Sequence, residues 1–464
     1  MLARLAICLA TFALASCAVG PDYRTPDTAA LTPAKWRWQP AAPRDDTPRG
    51  EWWKVFHDSE LNRLEARALT GSQTLRAAVA RVDQARAQAR VSAASFFPDI
   101  RLNGKGEREQ TSGNLPSPVP VTIPASRINS FSSALDLSYE IDFWGKVRRS
   151  FESARAEAAA SAADYQNVLL TLTGDVAANY FLLRSFDAEF SALRQTIELR
   201  GAALNLIKQR AAAGTVSEID AERARTELAT ARAEMADVKR QRQEVADTIA
   251  LLCGEPATHF LIAERPLTQT PPSIPAGLPA DLLERRPDIA KAERTVAARN
   301  ADIGVATAAY FPSVKLTGSG GYLSKDVDSL FSPDSKVWSV GPSVSLPVTG
   351  FAVIGANVRR AKAAREEAIA NYRQAVLAAV KDVETSLAQI RYRGEQGLAQ
   401  SEALASSAKA TDLIRSRYES GTISFIELLD AERTRLQIER QNAQIAAQRF
   451  IATVRLIKAL GGGW

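Results

Sequence analysis

Cysteine and histidine are scarce: the 464 residues include three cysteines and two histidines. Cys8 lies in an apolar N-terminal segment and Cys253 stands alone, so the chain cannot form a disulfide framework by itself. Neither His57 nor His259 has cysteines or carboxylates around it at metal-ligand spacing, and no Gly-x-Ser-x-Gly motif or phosphate-binding glycine loop occurs. We therefore expect no enzymatic activity, no bound metal and no cofactor.

A stripe for binding nucleic acid is also missing, although the formal charge is +6 and the isoelectric point is about 9.2. The basic residues are mixed with acidic ones along predicted helices, as between Glu222 and Glu244. No basic stripe with interleaved aromatic residues occurs, which argues against a nucleic-acid partner.

The N-terminus has the composition of a secretory signal. Residues 1–16 carry one basic residue, Arg4, and an apolar core of about ten residues, which is too short to remain as a membrane-spanning helix. Leu14–Cys17 reads LASC and resembles a bacterial lipoprotein signal, in which the cysteine receives diacylglycerol and becomes the acylated N-terminus. Cys17 is thus the predicted lipidation site, and Ala18, in place of an aspartate, favours the outer membrane. A plain secretory signal with an incidental cysteine is the alternative.

The sequence contains one unit twice. FFPDIRLNG at Phe96–Gly104 returns as YFPSVKLTG at Tyr310–Gly318, 214 residues later (310 − 96), whereas GTVS at Gly214 returns as GTIS at Gly421, 207 residues later (421 − 214). The seven-residue difference falls after the first of these motifs and predicts a longer loop between the first pair of strands. Each half reads as helix, strand, loop, strand, very long helix, turn and helix.

The predicted strands alternate apolar and polar residues. In Ala134–Trp144 one face is apolar and the other carries three carboxylates, and the strand reaches the roughly 9 to 11 residues that cross a bilayer at a tilt. Val337–Val348 repeats the pattern, weakened by two prolines. The segments that start at Gly106 and Gly318 are rich in glycine, proline and serine, and we expect them to be loops outside the membrane. The strands therefore predict the wall of a membrane β-barrel.

Four long helices are predicted at 145–210, 217–252, 351–420 and 424–460. The first would reach roughly 100 Å at 1.5 Å per residue, and its small and apolar residues recur at steps of three and four, as in a coiled coil. Such helices need partners, which the returning helix of each pair supplies. A soluble antiparallel coiled-coil scaffold would have the same composition, so the helices alone do not decide between a scaffold and a channel wall.

The strand count requires an oligomer. Unpaired backbone groups cannot face lipid, so membrane strands must close into a barrel, and four strands per chain fall short of the usual minimum of about eight. Three copies form the smallest ring with a lumen for solutes, since the interior of a barrel of about eight strands is filled by side chains. The predicted fold is therefore mainly α with a membrane β-barrel: two structural repeats per chain, a trimeric twelve-stranded barrel and an α-helical periplasmic tunnel.

Four motifs carry a resemblance to a known family: CAVGPDY at Cys17–Tyr23, WWKVFHDSELNRL at Trp52–Leu64, LCGEP at Leu252–Pro256 and LPADLLERRPDIAKAE at Leu278–Glu293. In this order, with the doubled unit, they resemble the TolC superfamily of outer-membrane efflux ducts and its NodT and OprM type lipoprotein branch, over nearly all of the mature chain. The resemblance implies a homotrimer that passively conducts small molecules to the cell exterior. It also implies two partners, a periplasmic adaptor (membrane fusion) protein and an inner-membrane transporter of the resistance-nodulation-division type.

The repeat and the resemblance together divide the chain into five segments. Residues 1–16 are the signal peptide, 17–60 the lipid-anchored N-terminal segment, 61–255 the first outer-membrane efflux repeat, 256–281 a linker and 282–464 the second repeat. The expected location is the outer membrane, with lipid around the barrel and a long periplasmic extension.

The helical hairpins turn at two glycine-threonine pairs, Gly214 with Thr215 and Gly421 with Thr422. Glycine permits the left-handed backbone conformation that ends a helix. These four residues are the predicted contact points for the adaptor.

Acidic residues near the tips are predicted to form a gate. Glu427 and Asp430 lie three apart and share one face of a helix, where threefold symmetry would turn each into a ring of carboxylates. In the TolC superfamily the corresponding positions are acidic gate residues, and the resemblance also matches Tyr418 and Asp220 to gate positions. The family's basic residue two positions after the tip glycine is Ile423 here, so an arginine link from that position to Asp220 is impossible and the latch of the closed tip is not identified. The alternative for the two acids is compensation of the helix dipole.

Two other functions fit the sequence: the outer-membrane component of a protein-secretion exporter, and a lipid-anchored periplasmic coiled-coil scaffold. The lipoprotein signal favours small-molecule efflux over protein secretion, and the alternating strands of lipid-crossing length favour a channel over a scaffold. The sequence does not identify the cargo, because in such systems the inner-membrane pump selects it.

Overall fold

The computed structural model describes residues 18–33, 35–37, 50–110, 112, 125–267, 269–275 and 285–462. Their helices and strands are, in chain order, α1 (Ser59–Gly71), α2 (Gln73–Ala94), β1 (Asp99–Gln110), β2 (Arg127–Ile141), α3 (Lys146–Ala212), α4 (Glu218–Cys253), α5 (Pro287–Ala308), β3 (Ser313–Ser324), β4 (Lys336–Ser345), α6 (Phe351–Glu419) and α7 (Phe425–Ala459). The order from α2 to α4 recurs from α5 to α7, which confirms the predicted repeat. None of the helices in these ranges has a stretch long and apolar enough to cross a membrane.

The chain divides into two compact units. The sheet unit combines residues 18–26 with Val82–Ser161 and Ala292–Tyr372, and the helical unit contains the remaining described residues. In the sheet unit the four strands pair in the order β1-β2-β3-β4, and every pairing is antiparallel. Within the described part of the chain β1 and β4 each pair on one side only, so the sheet has two free edges.

The strand boundaries differ from the prediction. The loop expected from Gly106 onward was wrong in its bounds, because β1 continues to Gln110 and pairs there with Arg127, the first residue of β2. The segment expected as a loop from Gly318 likewise continues β3 to Ser324. The ends of these strands that lie farthest from the helices consist mostly of polar residues. The alternation of apolar and polar residues is lost there, so the sequence contains no sign that the strands continue. In β4 the strand ends at Ser345, before Pro347, because proline lacks the N–H that a ladder needs.

Aromatic side chains form the core of the helical unit near the start of α1. Phe56 lies in the short 3-10 helix Trp52–Phe56, and its ring centroid is 4.9 Å from that of Phe181 in α3. The Phe181 ring in turn stacks on Phe450 of α7, with 4.5 Å between the ring centroids. Trp52 donates its indole N–H to Thr173 at 3.1 Å. The WWKVFHDSELNRL motif therefore fixes the segment before α1 onto two long helices.

The LCGEP motif is explained by a close crossing of α1 and α4. Gly254 adopts the left-handed conformation, with φ at +71°, and a β-carbon there would lie 2.1 Å from the carbonyl oxygen of Gly71. The next residue, Glu255, accepts from Arg67 Nε at 2.7 Å. Glycine is thus required at both 71 and 254, because the two backbones are in contact there. The ion pair between Arg67 and Glu255 stabilises the crossing.

An acidic side chain is buried in α1 without a partner. Glu65 is fully buried, and among the described residues neither carboxylate oxygen has a hydrogen-bond partner. The neighbouring cations are engaged elsewhere, Arg63 with Glu60 and Arg67 with Glu255. Burial therefore raises the pKa of Glu65 from the ordinary 4.5 to about 9, so its carboxyl is neutral at pH 7.

This burial predicts an unusual pH dependence of stability. Between about pH 4.5 and 9 the unfolded chain releases the Glu65 proton that the folded chain keeps. The contribution of Glu65 to the free energy of unfolding is therefore complete below pH 4.5 and is lost as the pH rises toward 9. The slope contributed by Glu65 should be at most about 1.4 kcal/mol per pH unit. In urea unfolding at pH 5 and pH 8, Glu65→Gln should lose stability less steeply than the wild type as the pH rises. Equal slopes for the two proteins would show that Glu65 is ionised in the folded chain.

Candidate functional site

The strand register gives the sheet one apolar face and one polar face. Paired residues share a face, so Leu102, Leu135 and Gly320 lie together on one side, and Arg101, Asp136 and Ser319 lie on the other. By the same register the apolar face carries Ile100, Leu102, Leu135, Leu137, Tyr139, Ile141, Val314, Leu316, Trp338, Val340 and Val344, and the polar face carries Arg101, Asn103, Lys105, Asp136, Glu140, Lys315, Thr317, Ser339 and Ser343. Several residues of the apolar face are exposed, Leu102 by 72% and Val340 by 67%. This sheet is therefore a wall that separates a polar surface from an apolar one.

Exposed aromatic residues stand where the strands meet the helices. Phe97, between α2 and β1, is exposed, and so are Phe143 after β2 and Phe351 at the start of α6. Aromatic rings of this kind mark the boundary between the apolar layer and water in membrane β-proteins. The apolar face thus ends at this level.

The N-terminal segment is bound to the same junction. Val19 donates its backbone N–H to the carbonyl oxygen of Trp144 at 3.0 Å, just before α3 begins. Asp22 accepts from Arg149 at 2.7 Å, and the Tyr23 hydroxyl donates to Glu293 at 2.5 Å. The predicted lipidation site, Cys17, lies outside the described residues, which begin at Ala18.

The two hairpin tips have the same geometry. Gly214 and Gly421 both adopt the left-handed conformation, with φ at +72° and +76°. The backbone N–H of Thr215 donates to the carbonyl of Arg210 at 2.9 Å, and that of Thr422 donates to the carbonyl of Arg417 at 3.0 Å. The predicted turns are therefore present at both tips.

The predicted gate acids have different surroundings. Glu427 accepts from the backbone N–H of Ser424 at 3.3 Å and from its hydroxyl at 3.1 Å, so it caps the start of α7. Asp430 is exposed, and its nearest cation is Arg433 at 3.9 Å. Asp220 has its ion pair on its own helix, with Arg223 at 3.6 Å.

Tyr418 lies between the two hairpins. Its ring packs 5.9 Å from Phe425, and the Arg210 guanidinium of the first hairpin lies over it at 5.8 Å. An apolar cluster beside it joins residues of both hairpins: Leu204, Ile207, Ala221, Ala224, Leu228, Phe425 and Leu429. Tyr418 is thus part of the contact between hairpins, whereas among the described residues no hydrogen bond or ion pair joins it to Asp220.

A charged link between the hairpins was not predicted. Glu227 of α4 is buried and accepts from Arg433 of α7, while Arg200 of α3 lies 3.2 Å from its other oxygen. One heptad farther along both helices, Arg440 donates to Glu234 at 3.0 Å. The equal seven-residue steps between the two arginines and between the two glutamates were the available sequence signal. Their pairing becomes visible only once the helices are placed side by side.

A groove of about 690 Å³ separates α4 and α7 beside this link. It is lined by charged and apolar residues of both helices, among them Glu222, Arg223, Ile426, Asp430 and Arg433. Asp430, the exposed one of the predicted gate acids, and Arg433, which forms the charged link, therefore border the same groove.

Comparison with known proteins agrees with this architecture. The profile of the family described as outer membrane efflux protein matches residues 64–255 and 278–462. The pyoverdine export outer membrane protein OpmQ of Pseudomonas aeruginosa is 34% identical over 441 residues, covering 94% of this chain and 92% of OpmQ. The solvent efflux pump outer membrane protein SrpC of Pseudomonas putida is 33% identical over 459 residues, covering 97% and 96% of the two chains.

A solved structure has the same fold over the full length. The outer-membrane channel OprN aligns with a TM-score of 0.87 at 32% identity, over 97% of this chain and 100% of the OprN chain. The resemblance to the TolC superfamily, drawn from the motifs, is thereby confirmed. The chain belongs to the outer membrane efflux protein family, and it is an outer-membrane efflux channel.

Proposed function

We propose that three copies of this chain form the exit duct of a tripartite efflux pump. The observation that carries the proposal is the four-stranded sheet with two free edges and one exposed apolar face. Such a sheet satisfies its edge groups in lipid only by pairing β1 of one copy with β4 of the next. Transport is passive in this scheme, because the energy is supplied by the inner-membrane transporter.

Purified outer membranes provide the test of this duct. We expect trimers that resist heating in detergent and that give discrete single-channel conductance in planar bilayers. A stable monomer without channel activity would refute the duct and favour the periplasmic scaffold, which needs no closed barrel.

The duct is anchored through Cys17 in this proposal. Ala18, the next residue, begins the segment that binds at Trp144, where the apolar face ends. Acyl chains attached one residue earlier would therefore enter the bilayer beside the barrel, with roughly 0.8 kcal/mol gained per buried methylene. Intact-protein mass spectrometry should find the mature chain heavier by three acyl groups on a glyceryl cysteine, and Cys17→Ser should lack this mass.

The partners are a periplasmic adaptor and an inner-membrane transporter of the resistance-nodulation-division type. In this proposal the adaptor contacts the tips at Gly214, Thr215, Gly421 and Thr422, and it enters the groove between α4 and α7. The cargo consists of small molecules; OpmQ is named for the export of pyoverdine and SrpC for the efflux of solvent.

Asp430 is the acid best placed to restrict the closed tip, because Glu427 serves as a helix cap and Asp430 is exposed. With three copies, the Asp430 carboxylates would form a ring that binds cations and narrows the opening. Asp430→Ala should therefore raise the single-channel conductance and weaken cation selectivity.

A matched control is Glu402→Ala, which removes an exposed acid from α6 about 25 Å along the helix from the tip. It should conduct as the wild type does. If Asp430→Ala also conducts as the wild type does, Asp430 is not part of the gate.

A further inference from the structure

Two helix ends beside the sheet carry basic residues without acids. The last eleven residues of α2, from Gln84 to Ala94, contain Arg86 and Arg90, and the first fifteen of α6, from Phe351 to Arg365, contain four cations. Neither stretch contains an aspartate or glutamate. This separation of charge contrasts with the long helices elsewhere, where acids and bases are mixed.

Five of these cations are exposed and unpaired. They are Arg86, Arg90, Arg359, Arg360 and Lys362. Within the ranges that the structure describes, none of them forms a hydrogen bond or an ion pair. The nearest acids on the same helices are Asp83 and Glu366, and each lies farther from the sheet than the basic residues do. The positive charge next to the sheet is therefore not neutralised along either helix.

The trimer would join these two basic ends. α2 leads into β1 and α6 follows β4, and β1 and β4 are the two free edges of the sheet. Resting on the proposed function, pairing of β1 with β4 of the next copy sets the end of α2 beside the start of α6 of that copy. Each of the three seams then gathers five cations, and their mutual repulsion favours the binding of an anionic group.

The seam lies at the level of the membrane surface. Phe97 and Phe351, the exposed aromatic residues at the junction, mark the end of the apolar layer. Along the helices, Arg90 is about 6 Å from the end of α2 and Arg359 about 12 Å from the start of α6. Long basic side chains can extend toward headgroups from this depth. Attraction to an anionic surface acts over about one Debye length, roughly 8 Å at physiological ionic strength.

We propose that each seam between copies binds the phosphate groups of anionic phospholipids in the leaflet that faces the periplasm. The lipid phosphates supply the counter-charge that the described ends of α2 and α6 lack, so they also stabilise the pairing of β1 with β4. The basic cluster is therefore an interaction surface for lipid rather than for a protein or for the cargo.

The test is native mass spectrometry of the full-length trimer titrated with phosphatidylglycerol, with phosphatidylcholine as the uncharged comparison. The test variant is Arg359→Gln/Arg360→Gln/Lys362→Gln. The control, Lys208→Gln/Arg225→Gln/Arg232→Gln, removes the same charge from exposed positions on α3 and α4. Arg359 and Arg360 should each contribute about fivefold, and Lys362, about 16 Å from the start of α6, should contribute less. The test variant should therefore bind phosphatidylglycerol on the order of 25-fold more weakly or worse, and the control should bind as the wild type does.

The outcomes separate this inference from the trimeric duct. Intact, conducting trimers that bind phosphatidylglycerol equally in all three proteins would overturn the inference and leave the duct standing. Unchanged lipid binding with altered ion selectivity would place the cations in the lumen and would also overturn it. Absence of trimers in the wild type would refute the duct, and the inference with it. If the test variant fails to fold, Arg86→Gln/Arg90→Gln provides the same comparison from the other side of the seam.

Discussion

Replacing Arg433 by alanine is expected to raise the single-channel conductance several-fold and to increase the share of time that the duct is open. Arg433 donates to Glu227 and so joins α7 of the second hairpin to α4 of the first. We propose that the duct opens when the hairpins move apart and that this link holds them together in the closed duct. Removing the link should then shift the equilibrium toward the open arrangement.

The contact is asymmetric, which makes Arg433 the side to change. Arg200 lies 3.2 Å from Glu227 and also donates to its backbone carbonyl at 2.8 Å, so the glutamate remains paired within the first hairpin when Arg433 is absent. The Arg433 side chain is 54% exposed, whereas that of Glu227 is 7% exposed. Arg433→Ala should therefore leave folding nearly unchanged. Removing Glu227 instead would leave Arg200 buried without its carboxylate, at a cost of about 3 to 5 kcal/mol.

Arg435→Ala is the matched control. Arg435 lies two positions along the same helix and 3.4 Å from Asp412 of α6, so it joins the two helices of one hairpin. Its loss should leave the conductance unchanged. If both variants conduct equally, the link between Arg433 and Glu227 does not latch the tip. If Arg433→Ala opens the duct only in part, adding Arg440→Ala, which breaks the contact with Glu234 one heptad away, should open it further.

The bounds of the four long helices were predictable from sequence to within one or two residues. The returning helix of the first hairpin was expected at 217–252 and lies at Glu218–Cys253. Local chemistry sets these ends: Ser217 caps the start by accepting from the backbone N–H of Ile219 at 3.2 Å, and Gly254 adopts the left-handed conformation at the end. Strand ends depend instead on a partner backbone, so glycine and charged residues near Gly106 looked like a loop while they pair with β2.

The site could be predicted only in part, for a related physical reason. The tip glycines and the acids beside them belong to a repeated motif, so they can be identified from the sequence alone. Glu227 and Arg433 are 206 residues apart, and each has the appearance of an ordinary charge on a solvated helix. Their contact depends on which faces of α4 and α7 meet, and that is decided by packing over many residues rather than by local composition.

The largest loss of stability is expected from Leu135→Arg. Leu135 lies on the apolar face near the middle of β2, paired with Leu102 on one side and with Gly320 on the other. In the barrel an arginine there would face hydrocarbon, at a cost of about 2 to 4 kcal/mol for each copy near the bilayer midplane. Because all three copies carry the change at one level, the trimer would lose roughly 6 to 12 kcal/mol. Heat-resistant trimers should disappear from the outer membrane.

Asn103→Arg separates the effect of the face from the effect of the charge. Asn103 pairs with Ala134, the neighbour of Leu135, so the two substitutions lie at the same level on opposite faces. On the polar face the new arginine would meet Asp136, to which the Asn103 amide already donates at 2.6 Å. Trimers should therefore persist in this variant, with weaker cation selectivity of the pore. If both variants lost their trimers, any added charge would disrupt the sheet and the apolar face would have no special role. If both kept them, lipid does not cover that face, since an arginine tolerated there must be in water.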